Sequence, residues 1–120
     1  MPNRDWRFRI EDIIAAIEDI NSLTADLTYP DLSANTTIFK AILYDMAVIG
    51  EAAYHLPADI ITRYPEMPWR EMSDMRNVVI HEYFGVDQQI VWETIKHDLP
   101  QLLPALRRIL QFSNTENTEE

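Results

Sequence analysis

Ten consecutive residues, Arg76-Asn77-Val78-Val79-Ile80-His81-Glu82-Tyr83-Phe84-Gly85, place a guanidinium, an amide, an imidazole and a phenol on a stretch that otherwise has the composition of an apolar helix. Histidine exchanges protons near neutrality because its unperturbed pKa is about 6.5. Arginine carries a permanent charge on a planar fork of donors that matches a phosphate. On a helix turning about 100° per residue, Asn77 and His81 are one turn apart and can touch, whereas Arg76 and His81 diverge by about 140°. Tyr83 falls beside Arg76 on its other flank. Joint action of Arg76 and His81 therefore needs a shared substrate or a second subunit.

The same set argues about metals. Glu82 is turned about 100° away from His81 on the helix, and the sequence shows no tight cluster of histidines and carboxylates. Neither a metal nor a cofactor is expected. Metal-free phosphodiester cleavage suits these residues better, with the imidazole moving protons and the arginine stabilising transition-state charge. RNA is the natural substrate for such chemistry because its 2'-hydroxyl supplies an internal nucleophile. The spacing alone is equally that of a capped helix-end histidine and an arginine in a surface ion pair.

The elements that must position these groups are helical. A chain of 120 residues with 47% apolar residues and two glycines predicts one all-α domain with a core of its own. With no cysteine, disulfides and thiolate chemistry are excluded. The opening residues lack a secretory apolar core and no run is long enough to span a bilayer, so the expectation is a cytoplasmic chain with no membrane partner. Net charge is -10, so any nucleic-acid site must be a local cluster of bases. Arg63, Arg70 and Arg76, doubled in a dimer, would make such a cluster, with Arg107 and Arg108 on another surface.

Apolar periodicity predicts a helix over 4–26 capped by Asp5, with Ile10, Ile13, Ile14, Ile17 and Ile20 on one face. Residues 28–35, with Pro30, form a connector. A second helix begins at Asn35 or Thr36 and stops before Pro57. Gly50 inside it costs about 1 kcal/mol against alanine, which a close helix crossing would offset, either within the monomer core or between subunits. A short helix follows over 58–64. A third long helix starts at Pro68 or Trp69, carries Met72, Met75, Val79 and Tyr83 on its buried stripe, and ends at Gly85. Asp87 caps a fourth over 88–97. The last covers 100–112, with a kink or late start at Pro104. The domain is thus 1–112, followed by a polar tail, 113–120, expected to be disordered. Tyr54, His55, Tyr64 and Trp69 form one aromatic group, either a platform for bases or, more simply, part of the core. His55 and His97 show no partner at recognisable spacing.

Arg76-x4-His81-x-Tyr83 followed by Phe84-Gly85-Val86-Asp87, Ile90-Val91-Trp92 and Asp98-Leu99-Pro100 resembles the HepT toxin family of the HEPN ribonuclease superfamily. Ile49-Gly50-Glu51-Ala52-Ala53 and Pro68-Trp69-Arg70-Glu71-Met72 match upstream, so the resemblance spans roughly residues 4–111. It implies an up-and-down bundle of four to five helices, a homodimer that brings two motifs into one cleft, and a metal-independent endoribonuclease acting on RNA, tRNA being one candidate. By the same resemblance Arg76 is the phosphate clamp, His81 the general acid/base and Asn77 a supporting group. Tyr83 would accept AMP from an antitoxin nucleotidyltransferase of the MntA type, in a larger hetero-oligomer. The alternative is a non-catalytic helical dimer that serves as binding subunit of a minimal nucleotidyltransferase.

Overall fold

The computed structural model describes residues 5–81 and 87–119, without the side chains of 78–81 and 114–119. The described residues hold helices and no strand. Four long helices, α1 (Trp6–Thr24), α3 (Thr36–Tyr54), α5 (Trp69–His81) and α7 (Leu103–Glu119), are joined through three short ones, α2 (Tyr29–Ala34), α4 (Ala58–Arg63) and α6 (Gln88–Glu93). None of the described helices is long and apolar enough to cross a membrane.

Local chemistry accounts for most boundaries. The Asp5 carboxylate caps α1 by accepting from the Arg7 amide at 2.9 Å. Asn35 caps α3 and Asp87 caps α6 in the same way. The 28–35 stretch is a correction to the expected connector, because α2 forms there. Pro30 falls in the first turn, where its missing N–H costs nothing, and Thr28 and Asp31 exchange side-chain bonds in a capping box.

Around Pro100 the chain leaves α-helical geometry on both sides. Thr94–Asp98 is a π-turn and Pro100–Leu102 a 3-10 turn, so α7 starts late, with Pro104 in its first turn. The last helix passes the expected boundary at residue 112. Ser113 is buried and the helical backbone continues to Glu119.

Helix α3 is central. It packs along α5 on one side and α1 on the other, and α1 also meets α7. Ile10, Ile13, Ile17 and Ile20 of α1 and Ile42 and Ile49 of α3 are fully buried in the shared core, with Met72 of α5 nearly so. Trp69 is buried where α5 begins, and its indole N–H donates to the Tyr64 carbonyl at 2.9 Å, which anchors the helix start.

Candidate active site

The site grows out of the crossing of α3 and α5. Gly50 is the contact point: a Cβ built there would lie 2.8 Å from the Arg76 Cβ and 2.9 Å from its Cα, and closer still to its backbone nitrogen. Only a residue without a side chain lets the two backbones approach so far. Of the openings left by sequence, a crossing within the monomer or one between subunits, Gly50 serves the first.

Because Arg76 sits directly over Gly50, the residues one and four positions on along α3 meet its side chain. Glu51 Oε2 forms an ion pair with Arg76 Nη1 at 3.2 Å. The Tyr54 ring lies under the guanidinium carbon at 4.1 Å from the ring centroid, a cation–π contact. The other carboxylate oxygen, Glu51 Oε1, meets His55 Nε2 at 2.8 Å. The imidazole in turn stands edge-on to the Tyr54 ring, with centroids 5.1 Å apart and planes at 88°. Arg76 is thereby held by an acid and an aromatic face while its side chain stays 29% exposed. A guanidinium has five N–H donors, and one carboxylate at Nη1 leaves the rest of the fork for a phosphate.

Arg76 also borders a groove of about 410 Å³, to which α1 contributes Arg9 and Asp12 and α3 contributes Tyr44, Ala47 and Glu51. Two arginines from different helices therefore line one groove in a strongly acidic chain. A larger cavity of about 500 Å³ lies among Met46, Met72, Met75, Val91, Leu99 and Leu102, but its charged residues are Glu71, Asp74 and Asp98. All three are acids, so that cavity repels phosphate. Earlier on α3, Asp45 is buried with its Oδ2 lacking a hydrogen-bond partner among the described residues. Burial, and next the carboxylate of Asp19 on α1, push its carboxyl up to about 7.

The residues named from sequence are placed as follows. Arg76 is at the crossing, Asn77 follows it on α5 with its side chain exposed, and His81 is the last residue of the described helix. The backbone spacing that puts Asn77 and His81 one turn apart holds, while the side-chain contacts of His81 lie outside the described residues, as does Tyr83 altogether. Glu51 and Arg9 were not singled out from sequence as site residues, and Tyr54 and His55, named there as part of an aromatic group, were not connected to Arg76. His55 and His97 do have partners, a correction to the expectation, since each meets a glutamate four residues earlier: Glu51, and Glu93 at 3.3 Å. The i, i+4 spacing was the available signal. The expected single aromatic group is also divided. Trp69 belongs to the core with Tyr64 packed against it, whereas Tyr54 and His55 stand outside it beside Arg76.

Comparison with known proteins gives the family. The family model described as ribonuclease HepT-like matches residues 13–109. A Methanocaldococcus jannaschii protein named "Putative RNase" is 38% identical over 111 residues, which span 92% of this chain and 96% of the relative. A Thermococcus cleftensis protein named "Probable ribonuclease HepT" is 41% identical over 99 residues, 82% of this chain and 90% of the relative. No solved structure gives a significant match. With a family match over residues 13–109 and relatives aligned along most of its length, the all-helical chain belongs to the ribonuclease HepT-like family.

Proposed function

We propose that the chain is a metal-independent endoribonuclease, the toxin of a toxin–antitoxin pair, acting as a homodimer whose two motifs meet in one cleft. The observation that carries this reading is the preset Arg76 fork, steadied by Glu51 and Tyr54 and sharing a groove with Arg9. A phosphodiester seated on Arg76 gains charge as the adjacent 2'-oxygen attacks phosphorus, and the guanidinium is already oriented to stabilise it. His81 moves the proton from the 2'-hydroxyl and returns one to the departing 5'-oxygen, with Asn77 orienting the imidazole. Products are a 2',3'-cyclic phosphate and a 5'-hydroxyl.

Control falls to Tyr83. Its hydroxyl takes AMP from ATP, with release of pyrophosphate, in a reaction carried out by an MntA-type nucleotidyltransferase antitoxin bound in a larger hetero-oligomer. On the helical phase read from the sequence, an AMP there would bring a phosphate to the Arg76 side of the helix and compete with RNA for the clamp.

Purified chain without antitoxin should cleave RNA in the presence of EDTA and leave cyclic-phosphate ends. Inactive wild type, or a fully active His81→Ala variant, overturns the proposal. A second reading draws on the Arg76–Glu51 ion pair, which a purely structural arginine would also make. There the chain is a non-catalytic binding subunit of the nucleotidyltransferase, and Arg76→Ala weakens partner binding with no effect on RNA.

A further inference from the structure

We infer that Tyr54 is a stacking platform for an unpaired nucleobase of the RNA strand whose phosphate Arg76 holds. This rests on the ribonuclease reading above and extends it to a base subsite on α3 and to single-stranded substrate.

Burial does not account for where the ring stands. Tyr54 is 59% exposed in the last turn of α3, so it gains little from burial. Its neighbours are instead the groups of the site. Arg76 lies over it at 4.1 Å, and a phosphate on the remaining donors of that guanidinium puts the attached nucleoside within reach of the ring. Arg–aromatic pairs of this kind are the surfaces on which splayed RNA bases stack.

The ring is also set in advance. His55 stands edge-on to it, and Glu51 holds His55 at 2.8 Å while its second oxygen holds Arg76. A base arriving there meets an aromatic group with neighbours on two sides, so less side-chain freedom is lost on stacking. Every base presents a π-face, so selection by this subsite follows strandedness more than base identity. A base inside a duplex is already stacked and unavailable; one in a loop or a single-stranded run is free.

The test uses the full chain carrying His81→Ala, to keep the RNA intact, and a short single-stranded oligonucleotide with 2-aminopurine at its adenine positions. Binding should quench the fluorophore, and the same strand in a duplex should bind at least tenfold more weakly. Adding Tyr54→Phe should preserve both affinity and quenching. Adding Tyr54→Leu should lose the quenching and weaken binding about tenfold to a hundredfold, the range of one lost base–aromatic stack, with unchanged circular dichroism and sedimentation. Parent-like binding and quenching in Tyr54→Leu overturns the subsite while leaving the nuclease reading intact, which is judged separately from cleavage by wild type. Loss of the oligomer in Tyr54→Leu also overturns it, since the ring is then a subunit contact. Failure of wild type both to bind and to cleave removes the two together.

Discussion

Gly50 and Arg76 touch backbone to backbone: the missing Cβ of one is the space occupied by the Cα and Cβ of the other. In an isolated helix Gly50→Ala would gain about 1 kcal/mol. Here the new methyl meets backbone atoms that cannot rotate away, and α3 and α5 must separate. The expected net effect is a loss of about 1–3 kcal/mol, visible as a lower denaturation midpoint, together with reduced RNA cleavage because the clamp rides on the shifted helix.

Glu51→Gln separates two effects of one carboxylate. Removing the charge leaves a side chain of the same length but weakens its hold on both Arg76 and His55. It also takes a negative charge away from the phosphate position. RNA affinity is expected to hold or tighten while kcat falls about tenfold, equivalent to about 1.4 kcal/mol of transition-state stabilisation. A rise in KM with unchanged kcat would show that Glu51 serves substrate binding alone.

Arg76→Lys keeps the charge and discards the geometry. The ammonium cannot meet Glu51 and a phosphate with one planar fork, nor lie flat on Tyr54. Cleavage should drop by at least about tenfold, on the order of one charge-assisted hydrogen bond. Wild-type rates in this variant would mean that charge alone suffices.

Asp45 predicts a pH dependence of stability away from the clamp. Its folded carboxyl is raised from 3.8 to about 7, so the folded state prefers the protonated form. The contribution is fully present below about pH 4 and is lost as pH rises toward 7. Asp19 on α1 stands beside it, and Asp12 lines a small separate groove with it. Asp45→Asn should flatten the curve between those limits and raise the melting temperature by a few degrees at pH 8, as a gain of about 1 kcal/mol would. An unchanged pH profile would locate the effect elsewhere.

Much of this was legible along the chain. The isoleucine spacing of α1 and the Asp5 and Asp87 caps each depend on neighbours within a turn or two, and each was deduced from the residues alone; Pro104 left a kink or a late start open, and the late start is what forms. Helix α2 was not, because Pro30 signals a break or a first turn with equal force, and only the Thr28–Asp31 exchange decides between them.

By itself the sequence determined that the fold is helical and that Arg76, Asn77 and His81 share a helix, because periodicity and composition are properties of single elements. It also marked Gly50 as a close crossing without saying what crosses it. Helical phase shows which way a side chain points, and the opposing residue depends on how far and at what angle two helices pack. Only the tertiary structure decided that Gly50 meets Arg76 itself. That contact delivers Glu51 and Tyr54 to the guanidinium, with His55 behind them, and brings Arg9 from α1 to the same groove.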